Sequence, residues 1–297
     1  MKARFRSPAA LDAQLKKAGF DLLVTQTESG QLTGSLQLER ISNGMVLQLR
    51  TDKPLHFYGD KKASMLTVPS NSMSFHGRSA QSCDVGGFNQ QTMICDCFVP
   101  AGGAITALLM DPALMKQKLR EGGNEHALHS LSDAWSLRMT HRQRNRFMHL
   151  LHQGLDGGGT DADDALVEFD AIASKGSALE FDLDDRSVLS RAVEVLCSTL
   201  SDPMFDGQDL ARLALTNERW LRKQFRRYGT SPMAFRRHMR LSMVQSFVRT
   251  EEATAMTQKQ LAEKFGFAKP KWLGQVYRQH FGENLFDIHR SQIEMPL

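Results

Sequence analysis

The pattern W-L-x-x-x-[F/Y]-R occurs twice, as Trp220-Leu221-Arg222-Lys223-Gln224-Phe225-Arg226 and as Trp272-Leu273-Gly274-Gln275-Val276-Tyr277-Arg278. A Leu-Ala pair precedes each copy, at Leu210-Ala211 and Leu261-Ala262. A repeated device of this length restricts the fold to one in which a single supersecondary unit is built twice. In the first copy Leu221, Phe225 and Tyr228 fall at i, i+4 and i+7, a stripe for burial, while Arg219, Arg222, Lys223 and Arg226 share another face. Asn217 can accept a backbone N–H at the start, and Gly229 stands where a helix leaves through the left-handed region, so the helix spans about three turns. In the second copy Thr257 with Gln260 makes a capping-box pattern, Gly266 suits a tight turn, and Pro270 suits the first position of the next helix. The spacing predicts helix, turn and helix over 209–214 and 218–228, and again over 258–265 and 270–280. Between them, Met239, Met243 and Phe247, with Val244 and Val248, form an apolar stripe that predicts one long joining helix.

Charge is divided unevenly. From Arg186 onward there are 18 Lys+Arg against 11 Asp+Glu, a net +7, whereas the rest of the chain nets −3. From Arg219 to Arg240 eight basic residues occur without an acid, which points to a polyanionic partner, although a basic run also suits a plain solvated face. On the second recognition-type helix, Leu273, Tyr277 and Phe281 are predicted to be buried and Lys271, Gln275 and Arg278 to share another face. Cations and an amide are suitable donors for guanine O6/N7, adenine N6/N7 and phosphate.

The 297 residues, 41% of them hydrophobic, are enough for about two domains. Segments such as GSLQLERI, GMVLQLRT, SMLTVP and TMICDCFV, separated by Gly, Pro, Ser and Asn, predict a β-rich region from about 19 to 99. Helices are predicted over 111–120 and 125–153, and a short acidic one after Gly157–Gly159, with Thr160 as its cap. The expected organisation is α+β: residues 1–173 as one domain, 174–183 as a linker, and an all-α domain over 184–297 with units at about 205–229 and 257–282. Cys83, Cys95, Cys97 and Cys197 are too few for a disulfide scaffold, and Cys95 and Cys97 share one strand face, which suits packing. His126 with His129, and His149 with His152, have metal-capable spacing but lack a carboxylate or Cys partner, so they read as surface histidines. No metal or cofactor is expected, and no apolar run approaches the roughly 18 residues of a spanning helix, so a cytoplasmic location without membrane contact is expected.

These residues resemble the AraC/XylS family of bacterial transcription regulators over about 184–290. LARLALTNERWLRKQFRRYGTSPMAFRRHMRL and QLAEKFGFAKPKWLGQVYRQHFG carry the likeness, with Gly266-Phe267, the Y-R-x-x-F-G ending at Gly282, and Ser231-Pro232 opening the joining helix. The resemblance implies two helix-turn-helix units on one linker helix, reading two nearby major-groove segments of promoter DNA. It also implies an activator role, RNA polymerase as a partner, and a barrel-like N-terminal sensor and dimerisation domain with a ligand pocket. It is compatible with a homodimer and a small-molecule effector whose site and identity are unknown. Carried over residue by residue, Arg219, Arg222, Lys223 and Arg226 look like the first reading helix. Lys269, Lys271, Gln275 and Arg278 look like the second, with base and phosphate contact both open. Trp220 and Trp272 favour packing. Arg240 resembles a linker-helix Arg held in an internal ion pair.

Four positions depart from the family pattern. Leu215 and Thr216 replace a Gly and an apolar residue, which predicts a distorted turn or differently spaced helices in the first unit. Lys269 replaces a small polar cap, so that capping bond is expected to be missing, and Val244 replaces Ala. No G-x-S-x-G elbow is present, and the Gly157–Gly159 run lacks the G-K-[S/T] of a phosphate loop, so the chain does not read as an enzyme. Two rivals remain: an accessory protein acting through protein contacts, and an AraC-like alkyl acceptor in DNA repair.

Overall fold

The computed structural model describes residues 2–60, 63–75, 78–80, 84–86, 94–159, 161–175, 178–180 and 188–288. The fold is α+β in two parts. The first contains β1 (Lys2–Phe5), α1 (Pro8–Lys17), β2 (Asp21–Gln26), β3 (Gly34–Ile41), β4 (Gly44–Thr51), β5 (Leu55–Asp60) and β6 (Ser64–Pro69). It continues with β7 (Met73–Phe75), β8 (Arg78–Ala80), β9 (Asp84–Gly86), β10 (Ile94–Val99), β11 (Ala104–Met110), α2 (Pro112–Glu121), α3 (Glu125–Asp133), β12 (Ala134–Arg138), α4 (His141–Leu155), α5 (Ala162–Ala173) and β13 (Ala178–Glu180). The second part is helical: α6 (Val188–Ser198), α7 (Gly207–Leu213), α8 (Glu218–Phe225), α9 (Pro232–Phe247), α10 (Glu251–Thr254), α11 (Gln258–Lys264) and α12 (Pro270–Phe281), with a 3-10 turn at Arg226–Tyr228.

GSLQLERI, GMVLQLRT and SMLTVP are β3, β4 and β6 residue for residue, and the described end of TMICDCFV is β10. The strands form two antiparallel sheets, ordered β1-β3-β4-β11-β6-β9-β12-β13 and β2-β5-β10-β7-β8. Alternation along each strand divides the apolar residues between faces. Leu36, Leu47, Leu49 and Ile105 of the large sheet meet Val24, Phe57, Cys97 and Val99 of the small one, with Leu11 and Leu15 of α1 closing the barrel-like core. On the outer face of the large sheet, Val46, Leu66, Val68 and Leu108 pack under Phe147 and Leu151 of α4 and Phe169 of α5.

Several expectations are corrected. The β-rich region extends past residue 99 through β11, whose AITALLM begins one short turn later. The single helix over 125–153 is two helices with β12 between them. Its segment Ala134–Arg138 pairs with β9 and β13, because an available sheet edge outcompetes continued helical spacing there. Thr140, in a complete capping box with Gln143, starts α4 independently. Helix α5 is capped by Asp161, whose carboxylate accepts from the Asp163 N–H; Thr160 lies outside the described residues, as do Cys83 and parts of 174–183. Within the barrel core a small void of about 40 Å3 is lined by Leu15, Leu47, Phe57, Cys95 and Cys97 among others.

The small sheet is also the floor on which the helical part rests. Along β10, Cys95, Cys97 and Val99 point into the barrel, while Asp96 and Phe98 point the other way. Phe98 stacks on Tyr228 at 4.4 Å between ring centroids, and His56 of β5 meets Phe235 of α9 edge-on at 5.0 Å. The buried His56 Nε2 donates to Asp96 Oδ1 at 2.8 Å, and Ser190 Oγ of α6 donates to the other carboxylate oxygen at 2.8 Å. Further along, the Ala9 N–H donates to Gln245 Oε1 and Ser246 Oγ donates to Asp12, joining α1 to α9.

The end of α12 is tied to β2 and the loop after it through His280. Its Nε2 donates to the Gln26 carbonyl at 3.1 Å, Ser29 Oγ faces Nδ1 at 3.2 Å, and its own carbonyl accepts from the Gly30 N–H. His238 of α9 stacks on it at 4.3 Å. Burial pushes both imidazoles down, His238 to about 3 with help from His280 and Arg237, and His280 to about 4 against the opposing pull of the Gln26 bond. Both folded values lie below the unfolded 6.5, so the unfolded chain takes up protons first as the pH falls. Stability from this pair is therefore complete above the unfolded value and declines below it, by about 1.4 kcal/mol per pH unit for each imidazole. Urea unfolding between pH 7 and 5 is expected to show this slope, and His238→Gln to reduce it by about half; an unchanged slope in that variant would contradict the assignment.

Candidate nucleic-acid interface

Helices α7 and α8 form one helix-turn-helix and α11 and α12 the other, and the turns match atom for atom. Leu215 N donates to Arg212 O and Thr216 N to Ala211 O; Gly266 N donates to Glu263 O and Phe267 N to Ala262 O. The first turn is not distorted by its leucine. Leu215 adopts the left-handed backbone at φ 54, as Gly266 does at φ 69, and leaves its side chain 77% exposed. The spacing does differ: between turn and recognition helix the second unit holds one extra residue, so Asn217 caps α8 and Lys269 stands at the cap of α12. Asn217 accepts from the Trp220 N–H at 2.9 Å, whereas Lys269 makes no side-chain capping bond.

Inside each unit the expected stripe is buried: Leu221, Phe225 and Tyr228 in the first, Leu273, Tyr277 and Phe281 in the second. Trp220 is half-buried against the first core, and Trp272, 41% exposed, leans on Phe267 at 5.3 Å. The other faces are open to solvent, and Arg219, Arg222, Lys223, Arg226, Lys269, Lys271, Gln275 and Arg278 are all exposed. Arg222 is engaged by Glu218 one turn earlier at 2.8 Å. Arg222 is 67% exposed and Glu218 34%, so this surface pair costs little to break.

The linker helix α9 holds the units in place through two arginines. Arg236 donates to the carbonyls of Thr199, Asp202 and Phe205, in the segment between α6 and α7. Arg240 donates to Leu200 O and Asp202 O and, at 3.1 Å, to Gly266 O in the turn of the second unit. Arg240 was expected to form an ion pair; its guanidinium bonds carbonyls instead, because two chain segments, 200–202 and the turn at Gly266, converge with their C=O groups aimed at it. Burial lowers the pKa of both guanidiniums, Arg236 to about 10. Gly266 is required twice over, since its φ is left-handed and a Cβ there would stand 2.9 Å from the Arg240 guanidinium.

Sequence reading missed His56, Asp96, Phe98, His238 and His280, which form the seam between the two parts. The alternation in ICDCFV was the available signal, since a strand whose Cys face is buried must put Asp96 and Phe98 on the other side. Among the described residues no group of three or more His, Cys, Asp or Glu could hold a metal ion, and no helix is long and apolar enough to cross a membrane. His126, His129, His149 and His152 are exposed on α3 and α4. Cys95 and Cys97 are buried in the barrel core, and burial pushes the Cys197 thiol up.

No protein-family model matches the chain, and no curated protein does. Among solved structures it is similar to a transcriptional regulator with an AraC-type DNA-binding domain from Chromobacterium violaceum, at 19% identity and TM-score 0.33, over 39% of this chain and all of that one. It is also similar to the AraC-like transcriptional activator CuxR, at 12% identity and TM-score 0.42, over 92% of this chain and 99% of that one. A third is ToxT from Vibrio cholerae O395, at 13% identity and TM-score 0.31, over 88% of this chain and 98% of that one.

Two substitutions test the local physics of the units. Leu215→Gly is expected to raise stability by about 0.5–1 kcal/mol, because release from a left-handed leucine outweighs the added freedom of the unfolded chain. Lys269→Asn is expected to add about 1 kcal/mol by supplying the missing cap. Denaturant melts of the full chain read both, and a loss of stability in either would contradict the backbone description at that turn.

Proposed function

We propose that the chain is a sequence-specific DNA-binding transcription regulator that reads two nearby major-groove segments of promoter DNA, one with α8 and one with α12. The observation that supports this best is the repetition itself: two turns with the same backbone hydrogen bonds, each leading into a helix with one buried apolar face and one exposed face of cations and amides. The basic second part draws the protein to DNA, phosphate contacts set the register, and the recognition helices select bases. Arg219, Arg222 and Lys223, with Arg226 nearer the backbone, serve the first site; Lys271, Gln275 and Arg278, with Lys269 at the cap, serve the second. Residues 184–297 are the DNA-binding domain, 174–183 the linker, and 1–173 the sensor and dimerisation domain. In this reading the protein is a cytoplasmic activator that contacts RNA polymerase and works without enzymatic chemistry. A signal on the first part reaches DNA through the seam that ties β2, β5 and β10 to α6, α8, α9 and α12.

Selection from a random duplex pool at near-physiological salt tests the proposal. Enrichment of two short elements about one helical turn apart is expected. A protein acting only through partner contacts would enrich nothing and show only the salt-dependent term. On the selected duplex, Arg222→Ala is expected to relax preference at one base step and to cost about 1–3 kcal/mol in affinity. An equal loss on every duplex would make Arg222 a phosphate contact instead.

A further inference from the structure

The outer face of the large sheet changes character along its length. Outward residues on β4 run Val46, Gln48, Arg50, and on β11 they run Leu108, Thr106, Ala104. The apolar end lies under α4 and α5, and the polar end is open. Strand register aligns that end in rungs: Arg4 opposite Ser35, Ser35 opposite Arg50, and Arg50 opposite Ala104. Two guanidinium-bearing strands therefore flank one serine hydroxyl, with their Cα atoms about 9–10 Å apart by strand spacing. Helix α4 overhangs the rungs with Arg144, Met148 and His152, and Gln48 Nε2 lies 3.2 Å from His152 Nε2. Together they enclose an open cleft of about 900 Å3, the size of a small-molecule site.

The cleft is cationic in a part of the chain that is acidic on balance. Arg4, Arg6, Arg50 and Arg144 line it against the single carboxylate of Asp52. That carboxylate accepts from the Thr33 N–H and hydroxyl, both at 2.7 Å. Among the described residues, Arg4, Arg6 and Arg50 form no ion pair with an acid.

We propose that this cleft binds a small phosphate-bearing organic anion of nucleotide size, gripped by Arg4 and Arg50 from either side of Ser35 and closed over by Arg144. Planar guanidiniums match phosphate oxygens bidentately, which is why the residue type suits this ligand. Its role as effector rests on the regulator reading; its binding does not. The route to DNA is short: Arg4 and Arg6 lie just before α1, and Ala9 and Asp12 of α1 bond Gln245 and Ser246 of the linker helix.

Calorimetric titration of the full chain without DNA tests the site, using adenosine triphosphate and inorganic pyrophosphate as phosphate probes and succinate as a dianion without phosphate. One saturable site per chain is expected for at least one phosphate probe. Arg4→Gln/Arg50→Gln and, separately, Arg144→Gln should each weaken it at least about tenfold while melting like the parent. Arg222→Gln, on the recognition helix, should bind the probe as the parent does. Three results would overturn the proposal: no phosphate probe binding at millimolar concentration, succinate binding as tightly as phosphate, or full probe affinity in both cleft variants. Loss of DNA affinity with a shallower salt slope in the cleft variants, with probe binding intact, would assign the arginines to the DNA backbone and likewise overturn it. Saturable probe binding by a chain that enriches no duplex would uphold the site and remove only its effector role.

Discussion

The pleat of β10 carries two cores at once. Cys95, Cys97 and Val99 fill the barrel on one side of a six-residue strand, and Phe98 on the other side stacks on Tyr228, which ends the 3-10 turn following α8. Between them Asp96, paired with His56 and bonded by Ser190, satisfies a buried charge that would otherwise be costly at an interface this dry. The two parts of the chain are therefore not beads on a linker. The same sheet that closes the barrel holds α8 and α12 near their C-terminal ends, the first through Tyr228 and the second through His280.

The helical part was legible because its signals are local. Caps, turn residues and the 3.6-residue period are written within a few positions of one another, and they placed α7, α11 and α12 to within two residues and α8 to within three, its last expected turn being 3-10. The long strands β3, β4 and β6 were legible for the same reason, each bounded by its own turn residues. What could not be read locally was decided by distant partners. β12 became a strand because β9 and β13 offered backbone bonds, and Arg240 faced carbonyls from segments some forty residues before it and some twenty-six after it.

The candidate site shows the same division. Exposure of the eight recognition-helix residues follows from their helical phase against a buried stripe, which the sequence states plainly. Of the two outcomes expected at Leu215, the helices are differently spaced while the turn itself keeps its left-handed geometry. A left-handed leucine costs about 1–2 kcal/mol, which two matched turn hydrogen bonds and the surrounding core readily outweigh. The seam residues were missed because a histidine at the end of a basic helix looks like one more surface cation, whereas His280 is buried and bonded on both ring nitrogens.

The carbonyl clamps on α9 separate two kinds of electrostatics within one domain. Arg236 and Arg240 hold their partners by charge–dipole bonds in partly buried surroundings, where mobile ions penetrate poorly. The cations on α8 and α12 stand in open solvent, where counterions compete for them directly. In the proposed reading, ionic strength therefore acts on how strongly the two helices are drawn to a polyanion and leaves almost untouched the angle and distance at which they present themselves: the grip varies while the gauge stays constant.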